Sequence, residues 1–566
     1  MIVAREEESR AHAATGAWGR VTLDQIVARN ADAHPDRLAL ADFADRAEWT
    51  GGPAESLTWR RLDTRVEALA AFFSALGLLT DQVIVMQMPP TVDAVVALLA
   101  ASRAGLIVAP LALSAREAEA TDLCRRLSAR AVVTVAHTED ETHGVRLRDV
   151  AADVFQIRFV FGAGGDLPDG LVDLAAVFDE AAALGRAPEI PRRGNAADHA
   201  LTVEIAPLPL DADTDESADA DRRLPLPRSH NHWIATGLMS LLEAGIGAES
   251  VVISPFALSG TIGLGAVLVP WLIGGATLVL GLPRATDVLA EEAARHGATH
   301  VVVPARIAAR LADRLSLHRV AATILAVAED DPLDAPMPAG DVVDVTPLGA
   351  YGLVARRRPE PSGPRALPVG PCAAPADTAN APVLLELRLK AIPQLAGHMT
   401  SGRPLGGEVQ VRGAMVPHFN WPASGQDRGQ RPRNAEGWIA TGLGARIVTA
   451  QPPTCELAGR IDDLVRIGQT LHDLAAVDAV YRGVEGIADA AALVVDGDAG
   501  GPAVAAAVVP SPGRRFDEAR FRAAVAEARV GLAAIPVKVF TVPAIARGPS
   551  GRVLRSGMAH HLMTLP

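Results

Sequence analysis

The sequence predicts an α/β protein with a smaller β-rich part and a compact α/β tail, and three observations carry that prediction. Between residues 38 and 135, short apolar strand text alternates with helical text, the rhythm of parallel βαβ units. The same rhythm returns from Trp233 to about Val327. From about Gly349 the text becomes richer in proline and in short strands such as VLLELRL and GEVQVRG, and after Gly459 a further α/β pattern follows.

The elements follow in order. Residues 21–47 read as an amphipathic helix, a proline-marked turn and a short strand. Thr58 is placed to cap a helix through LTWRRLDTRVEALAAFFSALG, whose apolar residues recur at helical spacing. DQVIVMQMP, LIVAPL and AVVTVA read as strands, with TVDAVVALLAASRAG as the helix after the first. The uncharged run between Glu249 and Arg284 is long enough to suggest a membrane span. Proline and glycine divide it into a strand (VVIS), a buried helix (TIGLGAVLVPWLIGG) and a second strand (ATLVLG), as in a buried parallel sheet. In the tail, helices are expected near Leu474–Val480 and Phe516–Val530, with strands ALVVDG, AVAAAVVP and VKVFTV. The stretch Pro207–Pro227 reads as a surface loop, with Asp211, Asp213, Asp215, Glu216, Asp219 and Asp221 close together.

Composition narrows the function classes. The 566 residues carry a net charge of −13, which gives no basic face for nucleic acid. Three scattered cysteines (Cys124, Cys372, Cys455) make neither a disulfide framework nor a CxxC metal site. MIVAREEESRAH lacks the apolar core of a secretory signal, so a cytoplasmic protein is expected. Only two lysines occur, Lys390 and Lys538. His230-Asn231-His232 reads as the start of a helix, GTIGLG (260–265) lacks the full glycine spacing of a dinucleotide loop, and His560-His561 falls in an expected frayed end.

Seven segments in order then resemble one family: PLPRSHNHWIATG, THVVVPARIAARL, GAYGLVA, SGRPLGGEVQVRGAMV, EGWIATGLGARI, ELAGRIDDLVRIG and GPSGRVLR. Their order and spacing are similar to the adenylate-forming (AMP-binding) acyl-CoA synthetase superfamily. The resemblance implies a large N-terminal region, residues 1–458, whose β-rich subdomain spans about 345–455. It also implies a small mobile lid, residues 459–566, with a hinge at 460–462 that includes Asp462. Such enzymes use ATP and Mg²⁺ to turn a carboxylate into an acyl-adenylate, after which a thiol such as that of CoA attacks.

Matched residue by residue, the resemblance implies nucleotide-binding roles for Tyr351, Gly352, Thr441 and Arg460, with Trp438 in the same framework. It also implies departures. The glycine- and hydroxyl-rich phosphate loop is replaced by LTVEIAPLPLDADTDESADADRRLPLP, which has no glycine and carries acids where phosphates bind. The magnesium glutamate is Ala355, followed by Arg356, Arg357 and Arg358; the ribose-binding aspartate is Leu443. The acyl-pocket Phe-His pair is Phe256-Ala257, and the catalytic adenylation lysine is Arg552, a planar fork in place of a point charge.

Three functions stay open. One is a degenerate synthetase-like protein, with no metal ligand, that holds an acyl or acyl-CoA molecule. Another is an active AMP-forming carboxylate–CoA ligase with a rebuilt site, the acids of 211–221 holding Mg²⁺ and Arg356–Arg358 the phosphates of ATP. A third is a subunit that binds a protein partner.

Overall fold

The computed structural model describes all residues except 140, 180–184, 207–223, 283–284, 329–339, 359–365, 377, 393–398, 401–402, 405, 418, 420, 422–433, 435, 468–469, 497–501, 529–534, 547–552, 554 and 564–566. Two large, mostly parallel sheets form its main body. The first runs, in spatial order, Val172–Asp173, Phe159–Ala163, Ala131–Val135, Val83–Gln87, Ile107–Pro110, Ala200–Ala206 and Leu224–Ser229, with the last strand antiparallel. The second runs Leu353–Arg357, Val342–Pro347, Thr323–Val327, His300–Pro304, Val251–Ser254, Thr277–Leu280, Leu38–Asp42 and Ser56–Thr58. Its two edge strands are antiparallel to their neighbours.

Local sequence explains many of the helices. Thr58 caps Trp59–Ala75 by accepting from the Arg61 N–H at 3.4 Å, and Thr91 caps Val92–Arg103 through Ala94 N–H at 3.3 Å. The second of these helices is buried almost all round, which is why it shows little amphipathic pattern. One continuous core contains side chains from both sheets. Within it the rings of Trp59 and Trp271 stack at 5.1 Å, and the Trp271 indole N–H donates to Ala39 C=O at 2.9 Å.

The uncharged run folds as expected, with strands at Val251–Ser254 and Thr277–Leu280 flanking a helix. Among the described residues no helix is long and apolar enough to cross a membrane. The GTIGLG segment is helical and widens to a π-turn over Gly263–Leu268. A Cβ on Gly263 would meet the Ala257 carbonyl oxygen at 1.8 Å, so glycine is required there by backbone contact.

The remaining elements differ from expectation in placement. The six-stranded antiparallel sheet begins at Leu367 and ends at Arg460. The stretch from Gly349 that the text suggested as β-rich starts instead as an edge hairpin of the second parallel sheet, where antiparallel pairing to Val342–Pro347 continues the same core. Residues 224–227 of the stretch expected as loop belong to the strand Leu224–Ser229, paired to Ala200–Ala206; the acidic residues 211–221 lie outside the described residues. Unexpected helices cover Glu6–Ala14 and Arg46–Thr50. Helices fall at Leu474–Arg482 and Glu518–Glu527, and Arg555–Met563 is helical where a frayed end was expected. The three-stranded sheet Ile487–Asp496, Pro502–Pro510 and Val539–Thr541 carries separate apolar clusters on its faces.

Candidate functional site

The antiparallel hairpin at the edge of the second sheet makes a tight turn, Leu348–Gly352, because Gly349 adopts φ +59 and Gly352 C=O accepts from Leu348 N–H at 2.8 Å. Tyr351 is buried there. Two neighbours bind the outward carbonyls of this turn. The Thr261 hydroxyl donates to Gly349 C=O at 3.2 Å, and the Arg228 guanidinium donates to Ala350 C=O. Arg228 is fully buried and lies 4.5 Å over the Trp233 ring, whose N–H is bound by Thr202 at 2.9 Å.

The structure brings several of the singled-out residues together at this turn. A Cβ on Gly349 would stand 3.9 Å from Thr441 C=O. Thr441 is buried, donates to Val409 C=O at 2.8 Å and accepts from Leu443 N–H at 3.2 Å. Gly442 takes φ +74 and donates to Glu408 at 3.2 Å. Leu443 is fully buried and pairs across the sheet with Arg460, itself buried. Ala257 lies in the bend before Gly260, four residues from Thr261. Asp462 belongs to the short helical turn Ile461–Asp463. Arg552 lies outside the described residues.

Ala355 is fully buried in mid-strand, opposite Val345, and a methyl side chain offers no ligand to a cation. The three arginines after it are each paired with a carboxylate. Arg356 reaches Glu243 at 3.1 Å, Arg357 binds Asp341, and Arg358 takes both oxygens of Asp344 at 2.6 and 3.0 Å. Glu243 is a hub: its oxygens also accept the Arg357 N–H at 3.2 Å and the Ala376 N–H at 2.7 Å. Arg356 and Arg357 therefore knit the helix His230–Ala244 to the edge hairpin, Arg358 pairs within the hairpin, and all three already face carboxylates.

Sequence reasoning missed Glu204, Arg228, Glu243 and Thr261. Glu204 projects from the strand ALTVEIA and accepts the Gly260 N–H at 2.9 Å. Burial raises its carboxyl above the ordinary range, against the opposing effect of Arg228. The legible signal was a single acid within apolar strand text. Among the described residues no group of three or more His, Cys, Asp or Glu is arranged to hold a metal. Each cysteine is buried, and burial pushes Cys372 up to about 11 and Cys124 and Cys455 up to about 12, which leaves them unreactive thiols.

Residues 27–186 match the model of the AMP-binding enzyme family. That match spans a little over a quarter of the chain, and the architecture is the fold of the adenylate-forming ligases. A curated relative, the salicyl-AMP ligase / salicyl-S-ArCP synthetase of Mycobacterium tuberculosis, is 29% identical over 162 residues, covering 29% of this chain and 28% of that protein. Over the whole length the likeness is one of fold. The apo structure of MbtA from Mycobacterium smegmatis superposes with a TM-score of 0.63 at 20% identity, covering 98% of each chain. ATP-bound MatB from Rhodopseudomonas palustris gives 0.66 at 19% identity, covering 96% of this chain and 99% of that one. A benzoate CoA ligase from Burkholderia xenovorans LB400 gives 0.65 at 17% identity, covering 95% and 100%. The comparisons thus give the chain the fold of adenylate-forming acyl- and aryl-ligases, with an AMP-binding family match over residues 27–186.

Proposed function

We propose that this chain is an acyl-CoA synthetase-like protein that has lost ATP-dependent adenylation and acts by holding an acyl or acyl-CoA molecule or a protein partner, in the cytoplasm. The observation that carries this reading is the occupancy of the Leu348–Gly352 turn. Arg228 and Thr261 bind its carbonyls, Ala355 supplies no carboxylate, and the following arginines are spent on Glu243, Asp341 and Asp344. Phosphate binding needs uncommitted cations or N–H donors, and Mg²⁺ needs oxygen ligands. Leu443 and Arg552 alter the ribose and lysine positions as well, and the rarity of lysine accounts only for the second. On this reading Tyr351, Gly352, Thr441 and Arg460 keep structural roles, and residues 459–566 remain a lid hinged at 460–462.

A panel of alkyl and aryl carboxylates with Mg·ATP and CoA tests it by AMP and pyrophosphate release. The expected result is no release above the protein-free control; robust turnover with any carboxylate overturns the reading. The second reading, an active ligase with a rebuilt site, draws support from the whole-length fold likeness to an ATP-bound structure. It requires the 211–221 acids to hold Mg²⁺, so replacing all six by Asn or Gln would abolish turnover.

A further inference from the structure

Residues 1–20 precede the family match, yet they are bound along much of their length. The Val3 N–H donates to Asp198 C=O at 2.9 Å, the Ala200 N–H donates to Met1 C=O at 2.8 Å, and Ile2 bridges His199. The Met1 amino group pairs with Asp81 and lies 3.4 Å from His199 Nδ1. The Ser9 hydroxyl donates to Asp198 at 2.7 Å. Gly19 donates to Asn231 Oδ1 at 2.9 Å, and its carbonyl accepts from Asn231 and Asn195 at 3.1 and 2.9 Å. Trp18, 5% exposed, stands edge-on to His232 at 5.2 Å and 4.7 Å from His12, while its N–H donates to Ala414 C=O at 2.9 Å. The segment therefore ties the start of the strand Ala200–Ala206, the first turn of the helix His230–Ala244 and the turn after Gly407–Arg412 into one body.

We propose that residues 1–20 are a histidine-fastened strap, docked at neutral pH and released on acidification, which uncovers His232 and the turn at Gly413–Val416. Four histidines stand at the fastening. His12 faces Trp18 and, beyond it, His232. His199 faces the Met1 amino group, Asp81, Arg192 and the Arg193 carbonyl, and its Nε2 lies 2.9 Å from that carbonyl. His230 faces Arg192 and His199 and accepts the Leu23 N–H at 3.2 Å on Nδ1. Burial lowers the pKa of His12 and of His199, and the Met1 ammonium and Arg192 lower His199 further, against the Arg193 carbonyl and Asp81. Release returns His12 and His199 to water, so both move towards about 6.5. The docked form thus binds fewer protons, and its advantage is full above about pH 6.5 and declines as pH falls, by up to about tenfold per pH unit for each group.

Hydrogen exchange of the full chain at pH 7.5 and 5.5, with labelling times scaled to intrinsic rates, tests the strap. The peptide 1–20 is expected to lose at least tenfold protection at pH 5.5, while Val92–Arg103 keeps its protection. The double variant His12→Gln, His199→Gln is expected to abolish the difference, and His12→Gln alone to reduce it. Equal protection of 1–20 at both pH values, an equal loss in Val92–Arg103, or a wild-type pH response in His12→Gln overturns the proposal.

Discussion

Arg46 is only 2% exposed, and its guanidinium binds Asp42 at 2.6 Å and also Asp93. Asp42 in turn accepts the Val92 N–H at 2.8 Å and the Glu55 N–H at 3.1 Å, so one buried cation joins the second sheet to the helix that follows Val83–Gln87. Removing one member of a buried ion network leaves uncompensated charge, at about 3–5 kcal/mol. Arg46→Ala is therefore expected to lower stability by about 3 kcal/mol or more in urea unfolding. A loss below about 1 kcal/mol, the level of an exposed pair, would contradict this. At this scale some of the structure was legible in the text. The Thr58 cap and the helix start at His230 follow from local hydrogen bonding. The roles of Glu204, Arg228 and Glu243 were not legible, because their partners are Gly260, Ala350 and Ala376, remote in sequence.

At the scale of elements, the strand–helix–strand run from Val251 to Leu280 was readable because continuous apolar text broken by Gly and Pro has few other solutions in a parallel sheet. The π-turn within it was not readable, and it begins at Gly263, where the backbone packs against the Ala257 carbonyl. Gly263→Ala places a methyl against that carbonyl and is expected to cost at least the ~1–3 kcal/mol typical of overpacking. Gly247→Ala, with open space at its Cβ position, is expected to be near neutral by the same thermal unfolding measurement. Equal melting temperatures for the two variants would refute the contact. The tail holds together through another long-range device. Arg555 donates to Asp463 at 2.9 Å, to Asp478 at 2.8 and 3.0 Å and to Ala492 C=O at 2.7 Å. This attaches the turn after Arg460 to the last described helix.

For the whole molecule, the α/β class was legible from periodicity, and the order of seven short segments pointed to the fold that the comparisons bear out. The edge hairpin was misplaced as the start of the β-rich part because antiparallel strands look alike in text whichever sheet they join. The strap was invisible for a different reason: docking of a terminal segment leaves no periodic signature. What the fold does with its inherited site rests on whether Mg·ATP binds. Titration calorimetry of the purified chain with Mg·ATP measures this directly. The account predicts no heat of binding at millimolar nucleotide, because among the described residues the arginines beside the Leu348–Gly352 turn already have partners. Saturable binding with a micromolar Kd would contradict it and show that a nucleotide site has been rebuilt.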